Sequence, residues 1–338
     1  LARRIAVVLE GVASATAIGA AALALAAGGS AGAWGPWATF TGVGVILVAA
    51  LLHIVLVPRW QSEGLVYLAQ GLMVAAYIDF RLAFPLPMAG DAAILTLLGY
   101  LDLGIAEALE RLQGPERYVR PTRYFSLALP LLPLLQLLGT GVREPVSLFY
   151  LMAAATFYGV ACASLRWKTL GYAAAVFTNA ALWVYWSRLG WMLADHPQFF
   201  LVPVGLSAIL FAEVNRELGR AAVNAIRSVG LIIIYVSLAV PIWQFESFGA
   251  WLTLLLGSLL GVFVGIGLRL QTFLWLGLTT FVLNVVYEMG RVSLDYAFAK
   301  WAIMLALGIA LVLFVALNEK KGILESLGDY YERVRQWE

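Results

Sequence analysis

The sequence predicts an all-α, polytopic integral membrane protein with about twelve spanning helices. Two observations carry this prediction: the composition of the chain and the regular recurrence of apolar stretches. Of the 338 residues, 62% are apolar and only 12% are charged, whereas soluble domains carry roughly 25% charged residues. So few polar residues cannot cover a water-exposed globule, and a lipid bilayer is therefore the solvent that fits this chain.

Twelve stretches approach the length of about 20 mostly apolar residues that a spanning helix needs. They lie near residues 5–27, 38–57, 64–83, 91–109, 123–138, 147–165, 170–189, 198–214, 223–242, 247–267, 270–289 and 296–318. The fourth is the weakest, because Asp102 and Glu107 lie inside it. After the last stretch, residues 323–338 alternate apolar and charged side chains at helical spacing. They predict an amphipathic helix on the membrane surface or against a partner.

The basic residues are distributed unequally between the two sides of this predicted bundle. With the N-terminus inside, 17 of the 22 Lys and Arg residues fall on inner segments and 5 on outer segments. The positive-inside rule then predicts that both termini are cytoplasmic, and we expect a bacterial cytoplasmic membrane. The net charge of +2 gives no support for nucleic-acid binding.

A repeated arginine spacing divides the chain into three units. The related motifs Arg-Trp-Gln-Ser, Arg-Trp-Lys-Thr and Arg-Leu-Gln-Thr begin at residues 59, 166 and 269, and a second arginine follows each first one 22 residues later. Twenty-two helical residues rise about 33 Å, which matches a bilayer core of about 30 Å. Each pair of arginines therefore brackets one crossing. We predict three parallel four-helix repeats, at 1–115, 116–219 and 220–322.

These motifs, together with Glu-Arg or Glu-Lys at the ends of the fourth helices, resemble those of uncharacterised bacterial multi-pass membrane proteins. Members of that class are built from tandem four-helix modules of unknown function. The resemblance covers essentially the whole chain and implies the same all-helical membrane fold. It also implies a soluble region ahead of the membrane part, which suits a chain that begins at Leu1 rather than at Met. No catalytic residues are established for that class, so none carry over.

The second arginines of the three repeats are candidate anchors at the outer face. They are Arg81, Arg188 and Arg291. As a ring they could bind phosphate or anionic lipid headgroups, because arginine makes bidentate contacts with phosphate. The interpretation we favour is an interfacial anchor whose aliphatic part lies in lipid and whose charge pairs with a nearby aspartate such as Asp91.

Several polar side chains lie within the predicted spans. They are Asp79, Asp102, Asn179, Asn284 and Glu288. Ionisable groups inside a membrane are costly and are candidates for function, so these five could line a cavity between the repeats. The favoured alternative is that they join helices through hydrogen bonds or interfacial ion pairs.

A glycine seam follows one face of the tenth stretch, where Gly257, Gly261 and Gly265 recur every four residues. Such small-residue faces allow two helix backbones to approach closely. We expect the seam to pack within the chain rather than against another protein.

Catalytic, metal and cofactor sites are not predicted. The two histidines, His53 and His196, fall near opposite faces of the bundle, and Cys162 is the single cysteine. Neither a zinc-binding H-E-x-x-H nor a nucleotide-binding glycine loop is present. The first hypothesis is therefore a non-enzymatic subunit that scaffolds or anchors a larger membrane assembly with protein partners. The alternative is a transporter or lipid-handling protein, and an intramembrane enzyme acting on a lipid-linked substrate ranks last.

Overall fold

The structure is a computed structural model that describes residues 2–28, 35–84, 88–134, 146–245 and 248–295. Over these ranges the chain is helical and contains no strand. The α-helices are α1 (Ala2–Gly28), α2 (Gly35–Trp60), α3 (Gly64–Ala83), α4 (Met88–Arg111), α5 (Glu116–Ala128), α6 (Val146–Leu165), α7 (Lys168–Arg188), α8 (Pro197–Val214), α9 (Arg220–Phe245), α10 (Phe248–Leu268) and α11 (Gln271–Asp295).

Seven helices in the described ranges are long and apolar enough to cross a membrane, by length and composition. They are Phe40–Trp60, Gly90–Arg111, Leu148–Leu165, Pro197–Val214, Arg220–Phe245, Phe248–Leu268 and Gln271–Arg291. This confirms the predicted helical class and fits a membrane protein, since a helix satisfies its backbone hydrogen bonds internally in lipid. The predicted twelfth stretch, 296–318, and the amphipathic segment, 323–338, lie outside the described residues.

The predicted fifth stretch, 123–138, begins inside a helix that starts earlier. α5 begins at Glu116, ends at Ala128 and continues into a 3₁₀ turn at Leu129–Leu131. Pro130 lies in that turn, where its missing N–H and its ring favour a break in the α-helical hydrogen bonds. The end of this stretch lies outside the described residues.

The chain divides into two compact units, Leu1–Val184 and Tyr185–Glu338, with the boundary inside α7. In the first unit α1, α2 and α3 pack together around small and branched side chains such as Ala21, Ile46 and Ala69. α4, α5 and α6 form a second cluster in that unit around the fully buried Phe157.

In the second unit α9, α10 and α11 pack together around Leu231, Tyr235 and Leu254. The glycine seam of α10 lies inside this packing. A Cβ atom added at Gly261 would overlap the hydroxyl oxygen of Tyr235, and one added at Gly265 would lie 2.5 Å from the backbone nitrogen of Leu274. The seam therefore packs within the chain, as expected.

Large apolar side chains are exposed along several helices. Val48, Val55, Val176 and Leu283 are examples, and each is more than 60% exposed. So many large apolar side chains exposed along helices fit a lipid environment, which solvates them without cost.

Left-handed backbone recurs at the three repeated motifs. Gln61, Arg166 and Arg269 have φ angles of 54°, 56° and 55°, and each lies between the end of one helix and the start of the next. L-residues with side chains avoid this region because the Cβ atom crowds the following carbonyl, at a cost of roughly 1–2 kcal/mol. The left-handed residue is the third of the motif in the first repeat and the first of the motif in the other two, and Gln113, between α4 and α5, has a similar φ of 55°.

Candidate functional site at the helix junctions

An ion-paired junction joins α8 to α9 in the second unit. The buried guanidinium of Arg227 on α9 donates to Glu213 at the end of α8 over 2.7 Å and to Asn224 over 3.1 Å. Arg216 donates to the other oxygen of the same carboxylate over 2.8 Å. Glu213 thus holds two cations, and the deeper of them, Arg227, is only 3% exposed. Pairing is what makes such burial tolerable, because an isolated charge loses its solvation.

The two helices cross closely beside this ion pair. A Cβ atom at Gly205 of α8 would lie 2.6 Å from the carbonyl oxygen of Gly230, and a Cβ atom at Gly230 would lie 2.8 Å from the carbonyl oxygen of Gly205. Only glycine at both positions leaves room for this backbone contact.

A related junction joins α4 to α5 in the first unit. Arg123 of α5 forms ion pairs with Glu107, over 3.6 Å, and with Glu110, both near the end of α4. A Cβ atom at Gly99 of α4 would lie 3.2 Å from the carbonyl oxygen of Ser126 on α5.

The two junctions occupy equivalent positions of the predicted repeats. Glu107 and Glu213 are 106 residues apart, and so are Gly99 and Gly205. Arg123 and Arg227 are 104 residues apart, and so are Ser126 and Gly230. The sequence pattern indicates the acids, because both lie in polar clusters that recur at the ends of the fourth helices. It missed their arginine partners, which the 104-residue spacing could have revealed.

A cleft opens at each junction. The one at α4–α5 has a volume of about 410 Å³ and includes two acids, Glu110 and Glu116, beside Arg120 and Arg123 in its lining. The one at α8–α9 is smaller, at about 160 Å³. Its lining consists of Arg216, Arg220, Val223, Asn224 and Arg227. The two clefts therefore differ in charge although they sit at equivalent places.

The first predicted anchor, Arg81, forms the expected ion pair with Asp91. Arg81 lies near the end of α3 and Asp91 in the first turn of α4, where the aspartate is 2% exposed. The hydroxyl of Tyr77, one helical turn before Arg81, donates to the other carboxylate oxygen over 2.6 Å. The tyrosine and arginine of this repeat thus act together on one acid and fix the α3–α4 corner.

The other two predicted anchors lie in different surroundings. Arg188 is the last residue of α7. The turn that follows it is held by aromatic contacts, such as Trp186 stacked on Trp191 with ring centroids 5.2 Å apart. Arg291 on α11 forms an ion pair with Glu288 one turn earlier, over 2.6 Å.

Three of the five predicted cavity residues, Asn179, Asn284 and Glu288, form hydrogen bonds or an ion pair, and a fourth, Asp102, is half-buried. Glu288 pairs with Arg291 as above. Asn284 of α11 is 4% exposed and donates to the carbonyl of Trp251 on α10 over 3.2 Å, so it joins two helices. Asn179 donates to the carbonyl of Ala175 in its own helix, and Asp102 is half-buried on α4.

Asp79 stands apart from these four. It lies on α3, is 1% exposed, and neither carboxylate oxygen has a hydrogen-bond partner among the described residues. Gln70, near the middle of the same helix, donates to the hydroxyl of Thr122 on α5 over 3.1 Å.

Two further polar contacts join α1 to α2. The fully buried His53 lies 2.7 Å from the hydroxyl of Ser14 and 2.6 Å from the carbonyl of Ala49. Nearer the end of α2, Glu10 of α1 forms an ion pair with Arg59 over 2.6 Å and accepts from the indole of Trp60 over 2.8 Å. Both groups therefore fasten helices together.

Comparison of the chain with protein-family models, with curated proteins and with solved structures finds no match. The resemblance to tandem four-helix membrane proteins therefore stays a prediction, and the candidate function depends on the geometry alone.

Proposed function

We propose that the chain is a non-enzymatic integral membrane subunit that scaffolds or anchors a larger membrane assembly. The observation that carries this proposal is the use made of polar side chains inside the helices. Arg227, His53, Asn284 and Asp91 are all buried, and each is bonded to a neighbouring helix or to the turn beside it. Polar side chains that hold helices together favour a rigid body over a transport pathway that must move.

The proposed architecture is three parallel four-helix repeats with twelve spans. Its support comes from features that recur at repeat spacing: the left-handed turns at the three motifs and the ion-paired junctions at α4–α5 and α8–α9. The first three helices of the first and third repeats also pack in the same way, each helix against the other two. We propose further that both termini are cytoplasmic and that the membrane is the bacterial cytoplasmic membrane, on the strength of the basic inner segments.

Co-purification tests the scaffold proposal. A tagged full-length chain is extracted from its source cells in a mild detergent, and the material is resolved by size exclusion and mass spectrometry. We expect other chains to remain bound at fixed stoichiometry. A lone, monodisperse monomer under several mild detergents would contradict the proposal.

A transporter or lipid-handling protein is the second candidate, and Asp79 is the observation that favours it. A buried carboxylate without a hydrogen-bond partner among the described residues is expensive, and intramembrane acids often mark proton or ion paths. The candidate requires water at Asp102, Asn284 and the other predicted cavity residues.

Cysteine labelling separates the two candidates. In a Cys162→Ser background, single cysteines at Asp102 and Asn284 are treated with a membrane-impermeant maleimide, with Leu193→Cys in the turn after α7 as the exposed control. The scaffold proposal expects labelling of the control alone. Reaction at both helix positions would favour a water-filled cavity and the second candidate.

A further inference from the structure

The cleft at the α8–α9 junction has the composition of an anion site. Three arginines and one asparagine account for the polar part of its lining, and the fifth lining residue is Val223. Arginine offers a planar fork of N–H donors that matches the oxygens of a phosphate. A volume of about 160 Å³ admits a group of that size.

The arginines of this cleft have different tasks. Arg227 and Arg216 are held in place by Glu213, which contacts both. Arg220 has no ion-pair partner among the described residues, and its side chain is exposed at the cleft. The shared acid thus fixes two guanidinium groups while a third cation stays available to a ligand.

The cleft includes the first residue of α9, and the start of a helix favours a negative charge nearby. Arg220 is the first residue of α9, and Gly219 before it turns the chain with a φ of 88°. The first turn of a helix leaves N–H groups without intrahelical partners and carries the positive end of the helix dipole. Phosphate groups bind at such helix starts.

The position of the cleft indicates which phosphates can reach it. It lies between the end of the apolar segment Pro197–Val214 and the start of the apolar segment Arg220–Phe245. If both segments span, this point is at the boundary of the bilayer, where lipid phosphates lie and where basic side chains attract anionic lipids.

The equivalent cleft at α4–α5 serves as an internal comparison. Glu110 stands 106 residues before Arg216, at the corresponding place, and Glu116 adds a second acid to that lining. The α4–α5 cleft is lined by two acids and two arginines, whereas the α8–α9 cleft is lined by three arginines and no acid. The α4–α5 cleft therefore lacks the excess of positive charge.

We propose that the α8–α9 cleft binds a phosphate group, with Arg220 and Arg216 as its direct contacts and Arg227 and Asn224 behind them. The source is either the headgroup of an anionic phospholipid or free phosphate. This site is independent of the scaffold proposal and of the outer arginines.

The test uses the full chain and the double variant Arg216→Gln with Arg220→Gln. Both side chains are exposed, so the variant is expected to fold. The control is Arg269→Gln, which removes one cation from a turn outside the cleft. Glutamine suits that left-handed position, as Gln61 shows in the first repeat.

Two probes distinguish the sources of phosphate. In the first arm, native mass spectrometry counts phosphatidylglycerol against phosphatidylcholine retained by the detergent-solubilised chain. In the second arm, inorganic phosphate is titrated against thermal unfolding without lipid. We expect a preference for phosphatidylglycerol that falls about fivefold for each arginine removed and is unchanged in Arg269→Gln.

A response to inorganic phosphate that the double variant loses would support the site with free phosphate as its ligand. The proposal would be overturned if the double variant retained as much phosphatidylglycerol as the wild type and also gave the same response to inorganic phosphate. Folding of each variant is checked by circular dichroism and size exclusion, so a loss of binding cannot be mistaken for unfolding.

Discussion

Gly205 of α8 and Gly230 of α9 face each other so closely that a Cβ atom on either would lie within 2.8 Å of the other's carbonyl oxygen. This contact lies on the same pair of helices as the Glu213–Arg227 ion pair. Close backbone approach and buried charge pairing thus reinforce one another, because the glycines bring the helices near enough for the arginine to reach the acid.

Gly205→Ala and Gly230→Ala are each expected to destabilise the chain by about 1–3 kcal/mol, the usual cost of forcing extra atoms into a packed contact. Unfolding in mixed micelles of increasing denaturing detergent measures the effect. The matched control is Gly104→Ala on α4, where a Cβ atom meets nothing within 4 Å. There the helix propensity of alanine predicts no loss, and a gain of up to about 1 kcal/mol. Equal behaviour of all three variants would refute the close crossing.

Removing the acid of the α8–α9 junction is expected to cost more than removing its exposed partner. Glu213→Gln strands the buried Arg227, and we expect a loss of about 2 kcal/mol. This lies between the average of about 0.6 kcal/mol for polar contacts of membrane helices and the 3–5 kcal/mol or so of a stranded buried charge. Arg216→Gln removes only a cation that is 63% exposed, so about 0–1 kcal/mol is expected. The same detergent unfolding assay compares them, and a larger loss in Arg216→Gln would contradict the assignment.

The helical class of the protein and the acids of the two junctions were predictable from the sequence. The arginines that pair with those acids were not. Apolar stretches long enough to span a bilayer predict helices in lipid directly. The recurring acids at Glu107 and Glu213 stood out by their spacing. Their partners Arg123 and Arg227 lie on the next helix, and which faces meet depends on the helix rotation that packing selects. The Arg81–Asp91 pair was predictable because a short corner leaves the two residues few alternatives. The lack of a partner for Asp79 within the described part of the chain was not predictable, since it depends on every helix around it.

The left-handed turns at the three motifs give a prediction about backbone strain. Arg269→Gly is expected to stabilise the chain by up to about 1 kcal/mol, because glycine adopts positive φ without the Cβ penalty. The matched control is Thr279→Gly on an exposed face of α11, where the lower helix propensity of glycine costs a few tenths of a kcal/mol or more. Opposite signs in detergent unfolding support the turn geometry. A loss of stability in Arg269→Gly would indicate that its side chain matters more than its backbone.

Asp79 and Asp91 provide the sharpest contrast, since both are almost fully buried and, among the described residues, only Asp91 is paired. Asp91→Asn removes the charge that Arg81 and Tyr77 share, and we expect a loss of about 1–3 kcal/mol because Arg81 keeps its charge at a half-buried site. Asp79→Asn removes a carboxylate whose burial is not compensated among the described residues. It is therefore expected to leave stability unchanged or to raise it. Unfolding of both variants in one detergent series measures the contrast, and a loss in Asp79→Asn as large as that in Asp91→Asn would mean that Asp79 has a stabilising partner. If Asp79→Asn keeps its stability as expected but growth or transport of the source cells decreases, the carboxylate is retained for function, and this result would favour the second candidate function.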